Sequence, residues 1–184
     1  MPDLILLNGP PASGKSTLAA GLVATRSLAL LLDIDVLRGQ LGGWADDPIA
    51  AGRAARRLAL ILLGEHLDAG LDVVIPQLLV RDDFLAALEQ AAHEHGARFT
   101  EVGLVIGRDE AILAFERRSI APAAAVHRDA AMLVERNGGR DEIERLYDAY
   151  VALLGRRSEA IRVEVTVGDV PGTLARIEAA IRHS

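Results

Sequence analysis

The sequence predicts an α/β fold: a five-stranded parallel sheet with helices on both faces. Three observations predict it. Short, unbroken apolar runs recur along the chain, as in Leu4-Ile5-Leu6-Leu7 and Val73-Val74-Ile75, and such runs suit strands covered on both sides. Longer segments with helical start and stop signals alternate with them. The first run leads straight into a glycine-rich loop and then into a helix-forming stretch, Thr17-Leu18-Ala19-Ala20-Gly21-Leu22-Val23.

The elements are expected in this order. Residues 1–7 form the first strand and 15–25 the first helix. Residues 28–33 read as a second buried strand, continuously apolar and too short for a helix. Gly42-Gly43-Trp44 is a turn, and Asp46-Asp47-Pro48 starts a helix that Gly70 ends. Residues 71–76 form a third strand. A helix opens at Asp82 or Asp83 and stops at Gly96. Residues 98–106 form the fourth strand, and Asp109 caps a helix reaching Ser119. An irregular piece spans 120–126, followed by a short helix over 127–136 and a break at Gly138-Gly139. Residues 141–157 give a helix with Ile143, Leu146, Tyr147, Tyr150 and Leu154 on one face. A last strand over 161–167 and a helix over 170–181 close the chain. The whole of 1–184 reads as one domain, with 117–138 as a candidate lid.

The loop is Asn8-Gly9-Pro10-Pro11-Ala12-Ser13-Gly14-Lys15-Ser16-Thr17. It matches G-x-x-x-x-G-K-[ST], with Gly9, Gly14, Lys15 and Ser16 in the fixed places. A helix start leaves backbone N–H groups without partners and carries partial positive charge, so it attracts phosphate. Pro10 and Pro11 have no N–H and stiffen the loop. Donors therefore come from Ala12, Ser13, Gly14, Lys15, Ser16 and Thr17. Lys15 reaches the outer phosphates of ATP and Ser16 holds Mg²⁺. Lys15 is also the sole lysine among 20 lysines and arginines, which marks it as the one position where arginine does not serve.

Composition narrows the choices. A net charge of −6 and a pI near 5.4 argue against general nucleic-acid binding. No apolar run has membrane-spanning length, and no basic leader precedes the first strand. The absence of cysteine fits a cytoplasmic protein and excludes thiolate metal sites. A guanine-reading N-K-x-D is missing, because the only asparagines are Asn8 and Asn137. The chain length leaves little room for the sensing segments of motor ATPases. A small phosphotransferase with the P-loop NTPase fold of nucleoside-monophosphate-kinase type is the expectation.

Such an enzyme needs a metal ligand, a base and cations over the transferring phosphoryl group. Asp33 ends the second apolar run and is the candidate Mg²⁺ ligand; a turn carboxylate is the simpler alternative. Asp35 can take the proton of an acceptor hydroxyl, or cap the helix that begins beside it. Arg38 can bind substrate or pair with a carboxylate. Gln77, at the tip of the third strand, and Trp44 are candidates for the acceptor side. Arg53 and Arg57 share a helix face, which is either substrate-binding or a solvated surface. Arg117, Arg118 and Arg128 are the candidate lid cations, with arginine's preference for helix C-termini as the alternative. His127 reads as a surface residue.

The loop, Asp33-Ile34-Asp35-Val36-Leu37-Arg38 and Val74-Ile75-Pro76-Gln77 together resemble the small P-loop kinases that include zeta toxins, chloramphenicol phosphotransferase and tunicamycin-resistance proteins. The resemblance implies ATP-dependent transfer to a hydroxyl of a small molecule. It places the general base on Asp35 and phosphate-binding arginines between 117 and 128. It extends to antibiotic resistance as one role, or to a toxin kinase acting on a nucleotide sugar, with an antitoxin partner under that reading alone. A non-catalytic ATP-dependent switch is the third possibility. The expected partner is a small-molecule acceptor; a homodimer stays open.

Overall fold

In a computed structural model, which describes residues 1–183, five strands form one sheet in the order β2-β3-β1-β4-β5, and every pairing is parallel. The strands are β1 (Asp3–Asn8), β2 (Leu30–Leu31), β3 (Val73–Pro76), β4 (Arg98–Val105) and β5 (Ile161–Glu164). The helices are α1 (Lys15–Ala24), α2 (Ile34–Gly39), α3 (Pro48–Asp68), α4 (Asp82–Glu94), α5 (Arg108–Ile120), α6 (Ala125–Arg136), α7 (Arg140–Arg156) and α8 (Val170–Arg182). The α/β class with a parallel sheet is thus as the sequence predicts.

Strand β1 is the axis of the sheet. Leu4, Ile5, Leu6 and Leu7 are wholly buried, because successive side chains point to opposite faces and both faces are covered. Leu4 and Leu6 pack with α3 and α4 through Ala55, Ala59, Leu63, Leu85 and Leu88. Ile5 and Leu7 pack with α1 and α8 through Leu18, Leu22, Ile177 and Ile181. Each fully buried aliphatic side chain contributes roughly 1.5–3 kcal/mol. The first four residues of this apolar run therefore fix where the loop after β1 emerges.

Several boundaries differ from the sequence expectation. β2 covers only Leu30 and Leu31, not 28–33. Leu28 takes a positive φ of 54° and is exposed, so the apolar run hides a turn at its start. Leu32 still donates its N–H to Val74 O at 2.9 Å, after which Asp33 leaves the sheet to cap α2. β5 ends at Glu164, and Gly168 with φ 87° turns the chain into α8. Asp109 does not cap α5. Gly107 occupies the N-cap without a side-chain bond, and Asp109 sits in the first turn. α6 begins at Ala125, which shortens the irregular piece. Among the described residues no helix is long and apolar enough to cross a membrane.

Parallel sheets leave their carboxyl edge open between the helices that follow each strand, and ligands collect there. Here the ends of β1 and β3, the start of α2 and the α5–α6 arm meet at that edge around one cavity of about 370 Å³.

Candidate active site

The floor of the cavity is the loop after β1. Gly9 has no spare room: a Cβ there would lie 2.8 Å from Ser13 Oγ and 3.0 Å from Leu104 Cβ. Gly14 is the N-cap of α1 in the left-handed region, at φ 85°. Ala12 also has a positive φ, 62°, a conformation that costs an alanine about 1 kcal/mol. These turns curl the loop, and Ser13 N–H closes it on Pro10 O at 3.3 Å; a glycine-rich turn of this kind before a helix suits a phosphate. No side chain caps α1, so its first-turn N–H groups remain available to a ligand. Pro11, Ala12, Gly14, Lys15, Ser16 and Thr17 all line the cavity. Gly9 and Pro10 lie beneath, where their carbonyls accept from Lys15 Nζ at 2.9 and 2.8 Å.

Lys15 is held as an uncomfortable cation. Burial, helped by the positive charge of Arg118, pushes its pKa down to about 7, against the pull of Asp35 and Asp33. An anion in the cavity would restore the charge.

Asp33 does two jobs. Its Oδ1 accepts from the N–H groups of Asp35 and Val36, at 3.0 and 3.3 Å, and so caps α2. Its Oδ2 accepts from Ser16 Oγ at 3.3 Å. The cap is therefore Asp33 and not Asp35, because Asp33 has the extended backbone of an N-cap, φ −87° and ψ 110°. Burial and the neighbouring Asp35 raise the Asp33 pKa. A hydroxyl and a carboxylate in hydrogen-bond contact, one of them strained by burial beside a second carboxylate, form a hard-oxygen donor pair that suits Mg²⁺. Among the described residues no group of three or more histidine, cysteine, aspartate or glutamate side chains could hold a metal. The pair fits an ion that takes its remaining ligands from phosphate and water.

Asp35, freed from capping, lines the cavity. Its Oδ1 accepts from Arg38 Nη1 at 2.6 Å. The Arg38 guanidinium also lies over the Trp44 ring, 5.1 Å from its centroid, a contact worth about 0.5–1 kcal/mol. Arg38 and Trp44 thus brace Asp35 from behind and are not among the cavity-lining residues. Gln77 is a neighbour of the wall: Pro76 and Leu78 line the cavity, while Gln77 N–H bonds Leu7 O at 3.1 Å and its Oε1 is buried without a partner.

The roof comes from the α5–α6 arm. Ala114, Phe115 and Arg118 of α5, with Val126, His127 and Ala130 of α6, face the loop. Arg118 is packed over Phe115, 5.2 Å from the ring centroid. Burial lowers its pKa and Asp35 opposes the shift. The structure does not bring Arg117, Arg128 or Arg53 to the cavity: all three are exposed. Arg57, on the outer face of α3 with Arg53, is exposed as well. His127, expected at the surface, lines the cavity instead.

Behind the site, Asn8 is wholly buried. It donates to Glu101 Oε1 at 3.3 Å and accepts from Leu79 N–H at 3.0 Å. Tyr150 Oη donates to the carbonyls of Leu104 and Asn8, at 3.0 and 3.3 Å. Asn8 therefore ties the end of β1 to the segment after β3. It supports the floor and is not part of it.

Sequence reasoning missed Phe115, Val126, Ala130 and His127 as site residues. The signal was present. Ala111, Ile112 and Phe115 are the buried stripe of α5, and Arg118 follows Phe115 by three residues on the same face. His127, Ala130 and Val134 share one face of α6 in the same way.

Solved structures share this fold. The Pnkp1/Rnl/Hen1 RNA repair complex contains a chain that superposes with a TM-score of 0.70 at 16% identity, covering 86% of this chain and 47% of that one. The present chain thus spans about half the length of that relative. A gluconokinase from Sinorhizobium meliloti 1021 gives 0.58 at 16% identity, over 99% of this chain and 97% of that one. The Mycobacterium tuberculosis APS kinase CysC, in complex with AMPPNP and APS, gives 0.58 at 18% identity, over 98% of each chain. At such identities the likeness is one of fold, and it is a fold of P-loop kinases. No curated protein matches the chain in sequence. A family model described as an AAA domain, AAA_33, matches residues 4–146, a span that holds the loop, both aspartates, Arg118 and His127. The match covers well over half of the sequence, and the chain belongs to the AAA_33 family of P-loop domains.

Proposed function

We propose that the protein is an ATP-dependent phosphotransferase that moves the γ-phosphoryl group to a hydroxyl of a small, uncharged molecule. The observation that carries this is the convergence, around one cavity, of a phosphate loop, a Ser16–Asp33 pair and a separate carboxylate, Asp35, under a cationic roof.

The loop amides and Lys15 hold the β- and γ-phosphates. Ser16 and Asp33 would hold Mg²⁺, which when bound would neutralise phosphate charge. Asp35 accepts the proton of the acceptor hydroxyl at Oδ2, since Arg38 occupies Oδ1. The acceptor oxygen then forms its bond to the γ-phosphorus while the bond from that phosphorus to the β–γ bridging oxygen breaks, and ADP leaves. Arg118 offsets the charge on the phosphoryl oxygens as it moves. The α5–α6 arm, within the lid expected over residues 117–138, excludes water, which would otherwise compete as acceptor. Beside the loop, a small cavity of about 90 Å³ lined by Ser13, Leu18, Val167 and Asp169 among others marks the side from which the donor's nucleoside would extend.

The acceptor class is read from the walls. Pro76, Leu78, Ala114, Val126 and Ala130 are apolar. Lys15 and Arg118 are committed to phosphate, and Arg38 is paired with Asp35. Arg53, Arg57 and Arg128 face solvent. Among the described residues that line the cavity, no arginine or lysine is left over to meet an anionic acceptor, which favours a neutral alcohol over the nucleotide sugar of the toxin reading. Within the group that includes chloramphenicol phosphotransferase, this supports the antibiotic-modifying side.

A screen with γ-labelled ATP tests it, using polyols, phenicols, aminoglycosides, nucleosides and nucleotide sugars as acceptors. Label on a neutral alcohol is the expected result. Label confined to nucleotide sugars would restore the toxin reading. Mg–ATP binding with a conformational change and no labelled product from any acceptor would mark a binding switch.

A further inference from the structure

His127 lies in the first turn of α6 and lines the same cavity as Lys15, Asp33, Asp35 and Arg118. The chain has five histidines. Three of them have a ring nitrogen in a local bond: His66 with Leu28 O at 2.8 Å, His95 with Asp68 Oδ1 at 2.7 Å and His183 with Ala179 O at 2.6 Å. His93 is exposed to water. His127 differs from all of these, because its Nδ1 is buried and has no partner.

Leaving a polar atom in that state costs on the order of 1–3 kcal/mol, so the cost calls for a compensating group. The other charges that act on the ring show which side that group comes from. They are Arg118 of α5, and Asp33 at the start of α2. Arg118 is the cation of the roof and Asp33 is the carboxylate beside Ser16. Under the phosphotransfer proposal, the outermost phosphate of a bound nucleotide would lie in the cavity that these two line together with Lys15. Burial, with Arg118, lowers the His127 pKa. This favours the neutral ring, which can carry its proton on Nδ1.

We infer that His127 is a further catalytic residue, whose Nδ1–H donates a hydrogen bond to a non-bridging oxygen of the γ-phosphoryl group as it is transferred. It acts beside Arg118, and it reaches the group only when α6 lies over the loop. A neutral donor there adds stabilisation without adding a third full charge to Lys15 and Arg118, which already repel each other. The assignment rests on the phosphotransfer proposal above.

Two measurements test it. The first is kinetic, at saturating Mg–ATP and acceptor. His127→Ala should lower kcat about 10²-fold, the scale for losing one donor to a developing oxyanion, with acceptor KM and Mg–ATP affinity within about twofold of wild type. His127→Asn, which keeps an N–H donor near the position of Nδ1, should recover part of the loss. His127→Phe fills the space without a donor and should behave as alanine. The second needs no acceptor. Ring ¹⁵N spectra of the labelled wild-type protein with ADP, Mg²⁺ and aluminium fluoride should show the His127 Nδ1 resonance shifting to that of a hydrogen-bonded N–H, while the other four histidines stay in place. Wild-type kcat in both His127→Ala and His127→Phe overturns the assignment, and so does an unmoved Nδ1 with the mimic bound. In either case the kinase proposal stands. Failure of the wild-type protein to bind both Mg–ATP and the mimic overturns the two together.

Discussion

The loop between β1 and α1 and the arm formed by α5 and α6 meet across one cavity, yet they are built in different ways. The loop stands on a central strand whose Leu4, Ile5, Leu6 and Leu7 are wholly buried, and α1 sinks Leu18, Ala19 and Leu22 into the core. On α6 no residue is buried. The arm is anchored by a small cluster of Ile112, Phe115 and Ile143, with Ala12, Ala130 and Val134 around it. Its remaining ties are exposed ion pairs such as Arg140–Glu116 at 2.7 Å and Arg108–Glu144 at 3.1 Å, and pairs of this kind are worth about 0–1 kcal/mol. The difference teaches a division of labour. The loop's backbone is held in shape by its packing, and Lys15 Nζ has only to exchange the Gly9 and Pro10 carbonyls for phosphate. The arm buries little of itself, so the lid expected over residues 117–138 would cost little to open.

Breaking the rigid side should have the largest effect. Lys15→Ala removes the one side-chain cation rooted in the loop, and transfer should fall by at least about 10³-fold, with Mg–ATP affinity reduced in a direct titration. Gly9→Ala should weaken nucleotide binding nearly as far, because its methyl group meets Ser13 Oγ and Leu104 Cβ and pushes the loop out of shape. Retained affinity in Gly9→Ala would mean that the loop is softer than its packing implies.

The arm separates two adjacent residues. Arg118→Ala should lower kcat by roughly 10²-fold or more, the order seen for arginines over a transferring phosphoryl group. Arg117→Ala should be close to wild type, since Arg117 points to solvent. Equal losses in the two variants would erase the distinction.

A smaller, pH-dependent effect links the two sides. The free protein holds Lys15 at a pKa of about 7, and polyphosphate beside Nζ raises it. The bound state therefore holds more protons than the free state between the two pKa values. Binding takes up a proton in that window, and affinity falls as pH rises through it. Calorimetry near pH 8, in buffers of different ionisation enthalpy, should show uptake approaching about one proton. No uptake would mean that Lys15 is already charged in the empty cavity. The smallest effect belongs to Arg136→Ala. It removes a 2.9 Å bond from α6 to Ala45 O and should change stability by about 1 kcal/mol or less.

The sequence was most legible where chemistry falls to the backbone. Gly9, Gly14 and Lys15 are nearly irreplaceable for geometric reasons, so their spacing alone located the floor. The two aspartates were visible as a metal ligand and a base, but the helix cap, the alternative role expected for Asp35, lies at Asp33. Either could cap α2, and only the direction of the chain leaving β2 decided that Asp33 does so and leaves Asp35 for the cavity. Arg117 and Arg118 differ by the phase of one helix, which depends on Phe115 packing inward. Trp44 looked like a substrate contact and is instead seen bracing Arg38. The short β2 was hidden because a run of leucines carries no mark of the positive φ at Leu28.

The most direct test of the central claim compares wild type with Asp35→Asn in two assays on the same protein: Mg–ATP binding, and transfer of labelled γ-phosphate to the best neutral acceptor. Asparagine keeps the shape of the side chain but cannot take the proton. Binding should be unchanged within about twofold, while transfer falls by about 10²–10⁴-fold. Unimpaired transfer by Asp35→Asn, with nucleotide bound normally, would contradict the account.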